Sequence, residues 1–228
     1  MFALLSMFAY AKTSGFLVGI QGGFNRTILK PKVDTVKIKE VAKKAGINLT
    51  DEKIKEYENK ATDSSNNGFF GAHIGYLGDI SEKLSLGGLV EGNFLFGSDI
   101  KNQEIKGDTK VKARFNFSPY FRIVFSNCGR FMIGTDLGTT IQEIRFPKID
   151  RKTNKEDGRK SRWYWAPAGR LVVGCSFTES ILGTAFLGGA LPMIKKDLEY
   201  LDGSTTDSLK IKYGNWNVGL GVSYVFGG

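Results

Sequence analysis

Two long segments of the sequence alternate between apolar residues and polar or small ones. In residues 111–125 the odd positions are all apolar, while the even positions include charged residues such as Lys112 and Arg122. In residues 215–226 the even positions carry large apolar or aromatic side chains, and the odd positions are mostly Asn, Gly and Ser. A β-strand directs successive side chains to opposite faces, whereas a helix distributes them around its axis. Both segments are therefore predicted to be strands with one apolar face.

Less regular alternation predicts further strands along the rest of the chain. They span residues 14–25, 68–78, 84–97, 130–146, 162–177 and 181–194. With the two clearest segments this makes eight strands, joined in turn by short connections and by long polar ones. An up-and-down arrangement then places every short turn at one end. The predicted fold class is all-β: an eight-stranded antiparallel up-and-down transmembrane β-barrel with long outer loops, the first partly helical.

The membrane assignment depends on which way the apolar face points, because a soluble ligand-carrying barrel turns that face inward. The opposite face combines Gly, Asn and Ser with charged residues, a mixture that suits a narrow interior better than a water-facing surface. The chain contains 29 Gly and 17 Phe among its 228 residues. Aromatic residues also fall near the predicted strand ends, where membrane barrels carry aromatic girdles; they include Trp163, Trp165, Trp216, Tyr224 and Phe226. We therefore expect the apolar face to contact membrane lipid.

The last predicted strand carries alternating apolar residues from Val218 to Phe226, followed by Gly227 and Gly228. This pattern resembles the C-terminal signal by which outer-membrane barrels are recognised for insertion. The layout of the mature chain is similar to the small eight-stranded OmpA-like and opacity-type surface proteins. The resemblance implies a bacterial outer-membrane location, with outer-membrane lipid and the barrel insertion machinery as partners. We expect a monomer and no nucleic-acid partner.

The first residues resemble the end of an export signal. Residues 1–11 are apolar and end in Ala9-Tyr10-Ala11, the small-x-small pattern of a cleavage site, with polar residues directly after it. The alternative is a buried N-terminal helix or strand. The predicted division is a signal-peptide remnant at 1–11 and the barrel at 12–228, with 28–67 as a long extracellular loop.

Six charged residues fall on the predicted inward face. They are Glu91, Lys112, Arg114, Arg122, Asp136 and Arg170. Eight strands enclose an interior that side chains fill, and charges held there need partners, so we predict a lumen charge network of ion pairs. Asp136 and Arg170 lie at nearly the same distance from the short-turn end on adjacent strands, which makes them the favoured pair. Alternatively, these charges line a conducting path or bind a substrate.

His73 is the only histidine, so any histidine-activated serine or cysteine nucleophile would have to use it. It falls on the inward face, where we expect it to fill space or form a hydrogen bond. We predict no catalytic, cofactor-binding or metal site, because no cluster of metal-ligating residues accompanies it. The leading hypothesis is an envelope-structural or adhesion role through the extracellular loops. The alternatives are a small porin-like channel, a lipid-modifying barrel enzyme and a soluble ligand-carrying barrel.

The first long loop contains two amphipathic stretches that predict short helices. The first, residues 33–46, ends at Gly46, and the second, residues 50–57, is N-capped by Thr50 or Asp51. Their lysines form the predicted interaction surface: Lys37, Lys39, Lys43, Lys44, Lys53 and Lys55. A basic surface of this kind suits host surface molecules, acidic glycans or lipopolysaccharide phosphates. The alternative is a solvated helical hairpin without a ligand.

The two cysteines are predicted to lie near each other. Cys128 comes just before the fifth strand and Cys175 near the end of the sixth, so both fall at the short-turn end of neighbouring strands. The periplasm is oxidising, and a disulfide needs Cα atoms about 4.4–6.8 Å apart. We therefore name Cys128 and Cys175 as a possible disulfide, with proximity as the expectation.

Overall fold

The computed structural model of the protein describes residues 14–33, 35–60, 63–97, 100–101, 110–127, 130–149, 156–195 and 209–227. Its elements in chain order are β1 Gly15–Val33, α1 Thr35–Lys44, α2 Asp51–Lys60, β2 Asp63–Ser81, β3 Leu84–Gly97, β4 Ile100–Lys101, β5 Lys110–Asn127, β6 Phe131–Ile149, β7 Glu156–Ser176, β8 Ile181–Lys195 and β9 Leu209–Phe226. In this part of the chain, eight long strands pair antiparallel with their neighbours. The β1–β9 and β3–β5 pairings close the sheet, and the two-residue β4 pairs with β5. The predicted eight-stranded up-and-down barrel is confirmed.

The outer surface of the barrel is apolar and its interior is largely polar. Large side chains such as Phe24 and Leu220 expose 68% and 69% of their surface on the outside. Asp136 and Gln142 are fully buried inside. A membrane barrel has an apolar exterior around a polar interior, whereas a soluble ligand-carrying barrel has an apolar interior and a polar exterior. Within the described residues, no helix is both long and apolar enough to span a bilayer.

Several strands are longer than the sequence predicts. β1 continues to Val33 and β2 begins at Asp63, so the predicted loop at 28–67 is too long at both ends. The ladder persists through the pairs Ile28–Ser64 and Leu29–Asp63. A barrel strand needs about 9–11 residues to cross a membrane, and beyond that point its outward face meets water. Polar residues therefore replace the apolar ones, and the alternation that predicts a strand disappears although the backbone pairing continues.

Arg114 is the clearest error among the predicted inward residues, because it is exposed. The register between β5 and β6 shifts between Ala113 and Phe115, which leaves Arg114 as an extra residue in β5. A β-bulge of this kind reverses the alternation on one side of it. Ala113 and Asn116 are accordingly both buried, at positions of opposite parity.

The two predicted helices form a capped helical hairpin, α1 and α2, between β1 and β2. α1 ends in a Schellman motif, in which the Ile47 N–H donates to the Ala42 carbonyl across Gly46, whose φ is +72°. The Thr50 hydroxyl accepts a hydrogen bond from the Lys53 N–H at 3.4 Å, so Thr50 is the N-cap of α2. Ile54 is 3% exposed and anchors α2.

Candidate functional site

The strand register places three of the predicted inward charges side by side. Asp136 on β6 lies directly opposite Arg122 on β5 and directly opposite Arg170 on β7. Arg122 donates two hydrogen bonds to the Asp136 carboxylate, from Nε at 2.7 Å and from Nη2 at 2.8 Å. Arg170 Nε donates to Asp136 Oδ2 at 2.6 Å. One buried carboxylate thus bridges two buried guanidinium groups.

Glu91 on β3, which is separated from β7 by β5 and β6, completes the arrangement. Arg170 Nη1 donates to Glu91 Oε2 at 2.7 Å, although β7 and β3 are not neighbouring strands. The Gln21 side-chain amide donates to Glu91 at 2.8 Å and to Asn93 Oδ1 at 2.8 Å. We call Glu91, Arg122, Asp136 and Arg170 the lumen ion network. It contains two carboxylates and two guanidinium groups, so its formal charge is balanced.

Arg170 is also held by aromatic rings. Its guanidinium carbon lies 4.6 Å from the centre of the Tyr120 ring and 4.4 Å from that of Phe186. Gly188, its register partner on β8, makes room for it, because a Cβ there would overlap the Arg170 side chain. Cation–π contacts of this kind gain strength where water is excluded. Ionic and aromatic contacts together therefore hold the Arg170 guanidinium in one position.

His73 faces the lumen, as its alternation predicts, and contacts a serine two strands away. Its Nε2 lies 2.7 Å from Ser223 Oγ, across β1. Gly19 is the residue between them in register, and a Cβ at Gly19 would overlap the histidine ring. His73 is 6% exposed, and its register partner on β3 is Glu91, a member of the lumen ion network. Among the described residues, no group of three His, Cys, Asp or Glu side chains could hold a metal ion.

Apolar and neutral side chains close the interior on both sides of the lumen ion network. Toward the short-turn end the buried layer consists of Leu17, Leu77, Val124, Met132, Val172, Leu182 and Val225. Toward the long-loop end Tyr213 donates to the Gln142 carbonyl oxygen, and the Gln142 amide donates to Thr27 Oγ1 at 3.2 Å. Ile144 and Tyr164 are buried at the same end. In the described part of the chain the lumen is therefore filled by side chains.

The predicted site residues separate into distinct places. Glu91, Arg122, Asp136 and Arg170 come together, Arg114 lies outside, and the side chain of Lys112 is outside the described residues. Sequence reasoning did not identify Gln21, Asn93, Tyr120 or Phe186 as partners of the network. Gln21 carries a weak signal, since it falls on the inward phase of the first strand. Contacts across the lumen have no signature in the alternation of a single strand.

The helical hairpin carries most of the predicted lysine surface. Lys43, Lys44, Lys53 and Lys55 are exposed, and the side chain of Lys37 is outside the described residues. Lys39 forms a 2.7 Å ion pair with Asp51, which ties α1 to the start of α2. Lys30 on β1 donates to Asn59 on α2 at 2.8 Å. These contacts fix the hairpin to the barrel.

One cysteine of the possible disulfide, Cys128, lies outside the described residues. Cys175 is half-buried on β7 and lies opposite Phe131, the first residue of β6. The proximity of the two cysteines therefore stays a prediction. The proposed signal-peptide remnant at 1–11 likewise lies outside the described residues.

The fold of this chain is similar to that of solved outer-membrane proteins that share little of its sequence. The crystal structure of Neisserial surface protein A is 10% identical, with a TM-score of 0.50 over 93% of this chain and 98% of that one. Ail from Yersinia pestis, in complex with the heparin analogue sucrose octasulfate, is 12% identical, with a TM-score of 0.42 over 92% and 99% of the two chains. The outer membrane protease OmpT from Escherichia coli is 12% identical, with a TM-score of 0.46 over 93% and 97%. No protein-family model and no curated protein matches the sequence.

The closed barrel, the exposed apolar band and the polar interior together define a transmembrane β-barrel of the outer-membrane class. Within this class, the chain has the fold of the small eight-stranded barrels of the bacterial outer membrane. The resemblance drawn from the sequence is confirmed at this level.

Proposed function

We propose that this barrel is a non-enzymatic surface protein that binds acidic glycans through its long-loop end. The observation that carries the proposal is the distribution of charge. Four sequence segments each combine a long connection with the adjoining ends of the two strands that it joins: 26–66, 97–115, 143–162 and 191–214. Together they contain 27 Lys and Arg against 18 Asp and Glu. The rest of the chain has five of each sign, so the net charge of +9 comes from these four segments.

The excess of basic residues is uneven among these segments. Segment 143–162 has eight Lys and Arg against four Asp and Glu, and segment 26–66 has ten against seven. Segment 191–214 is balanced, with four of each. Lys43 and Lys44 lie in the last turn of α1 and are both exposed. Because the Lys39–Asp51 ion pair and the Schellman motif hold α1 in place, these two cations are presented in a defined position.

The closed interior favours a surface role over conduction. A porin-like channel needs a continuous aqueous path, whereas the described lumen is filled by the apolar layer, the lumen ion network and the Tyr213–Gln142–Thr27 contacts. An enzymatic role would need a substrate to reach a reactive group, and His73 is buried inside the filled lumen. An envelope-structural role without a ligand is the alternative that the experiment must separate.

The test is the binding of heparin, as an acidic glycan probe, to the folded barrel in neutral detergent. Replacing both exposed lysines, Lys43→Glu and Lys44→Glu, should weaken binding about tenfold, because the substitution turns local attraction into repulsion. Surface plasmon resonance at physiological salt, with dextran as the uncharged control glycan, measures the effect.

Lys83→Glu in the turn between β2 and β3 is the control, since it reverses one charge at the opposite end of the barrel. We expect Lys83→Glu to bind heparin as the wild type does. Equal binding of heparin and dextran, or unchanged binding by the Lys43/Lys44 variant, would contradict the proposal and leave the envelope-structural role.

A further inference from the structure

An apolar groove of about 440 Å³ runs along the membrane-facing surface over β1, β9, β8 and β7. Its floor consists of small residues, Gly22, Gly219 and Ala185, and its sides include Phe24, Leu187 and Leu220. The register explains why it exists: Leu220 lies between Gly22 on one side and Ala185 on the other. The outward-facing positions on either side of Leu220 therefore hold only Gly22 and Ala185. The next row toward the long-loop end carries the larger side chains of Phe24, Val218 and Leu187. The apolar lining suits a hydrocarbon chain.

A column of cations continues the line of this groove toward the long-loop end. Phe24 lies at the groove, Arg26 comes two residues later on β1, and Trp216 is the register partner of Arg26 on β9. Further along the same two strands Lys30 is paired with Lys212. Leu29 and Tyr213 are buried, so Lys30 and Lys212 point outward, as Arg26 does. Strands rise about 3.4 Å per residue, which makes the column from Arg26 to Lys30 about 14 Å long.

Trp216 marks where this column meets the membrane surface. It is 42% exposed on the outer face, and tryptophan is the residue that membrane barrels place at the level of the lipid headgroups. The groove thus lies in the hydrocarbon region, and the cations begin at the headgroup level and extend beyond it. A ligand that matches both the groove and the column of cations has an acyl chain in the hydrocarbon region and negative charges at the headgroup level and beyond. The column is too long for one phosphate to contact at both ends, which favours a headgroup with several phosphates on a sugar backbone.

We propose that this face binds a phosphorylated, acylated glycolipid of the surrounding outer leaflet. One acyl chain occupies the groove beside Leu220, and the phosphates contact Arg26, Lys30 and Lys212. Arg26 donates to Ser64 at 3.1 Å and Lys30 to Asn59, so both cations are already oriented before a ligand arrives. The site is separate from Lys43 and Lys44, and either proposal can fail without the other.

The experiment uses the folded full-length barrel in neutral detergent micelles. The probes are a bisphosphorylated, acylated glucosamine disaccharide and its dephosphorylated form, and binding is measured by native mass spectrometry. The triple variant Arg26→Gln, Lys30→Gln and Lys212→Gln should lose roughly 100-fold in affinity for the phosphorylated probe, since each cation near a membrane surface contributes about 1 kcal/mol. Its affinity for the dephosphorylated probe should not change. The matched control, Lys43→Gln, Lys44→Gln and Arg114→Gln, removes the same charge elsewhere at the long-loop end.

The groove is tested by filling it. Ala185→Phe, or Ala185→Leu if the larger residue prevents folding, should weaken both probes by the same factor, while Val90→Phe on the outward face of β3 should weaken neither. Heat-modifiable gel migration checks that each variant is folded. The proposal is overturned if the wild type does not bind the phosphorylated probe more tightly than phosphatidylglycerol. It is also overturned if both triple variants lose affinity equally, or if a folded groove-filling variant binds as the wild type does.

Discussion

Replacing Arg170 with methionine should lower the free energy of unfolding by about 3–5 kcal/mol, because it breaks a buried ion network from one side. Arg170 contacts both Glu91 and Asp136 and is 4% exposed. After the substitution Asp136 keeps Arg122, but Glu91 has only the amides of Gln21 and Asn93 as described partners. Equilibrium unfolding by guanidinium chloride, with the barrel folded in lipid vesicles, measures the loss.

A double variant separates charge from packing. Arg170→Met combined with Glu91→Gln removes the stranded carboxylate, so it should be more stable than Arg170→Met alone. Arg114→Met, at the exposed bulge, should change stability by less than about 0.5 kcal/mol. A loss of under about 1 kcal/mol for Arg170→Met would mean that the network contributes little to the stability of the barrel.

Replacing Leu220 with arginine should destabilise the folded barrel by about 2–4 kcal/mol, because a cation would enter the hydrocarbon region. On β9 the exposed apolar band runs from Trp216 to Phe226, and Leu220 lies near its middle. The same unfolding measurement in vesicles tests this expectation. Leu220→Ala is the control for lost side-chain volume, and it should cost much less. An arginine tolerated at this position without loss would place Leu220 outside the membrane.

The sequence alone predicts the membrane-spanning part of the fold well, because one physical constraint governs it. Residues inside the bilayer must be apolar on the lipid side, and the resulting period of two is visible in segments such as 215–226. The helical hairpin is also predictable, since Gly46 and Thr50 give local end signals. The depth of Asp136 and Arg170 follows from counting along strands whose short turns are known.

The remaining features depend on contacts that no local pattern records. The outer halves of β1 and β2 face water on the outside of the barrel, so their outward residues are mostly polar. The sequence there shows no alternation of apolar and polar residues, although the strands still pair. The extra residue at Arg114 exchanges the inward and outward positions of β5 on one side of the bulge. No Gly or Pro next to it indicates a bulge in the sequence. The Glu91–Arg170 contact joins strands that are not neighbours, and it follows only once the barrel is closed and its shear is fixed.

Folding with and without an amphiphile tests the central claim most directly. The unfolded chain, without the proposed signal-peptide remnant at 1–11, is diluted into buffer alone and into phospholipid vesicles. Far-ultraviolet circular dichroism and heat-modifiable gel migration are then recorded on both samples. We expect a β-sheet spectrum and a faster-migrating unboiled band only with vesicles, because the exposed apolar band needs a hydrocarbon surround. A monomeric, cooperatively unfolding β-protein in buffer without any amphiphile would contradict the assignment of this chain as a transmembrane barrel.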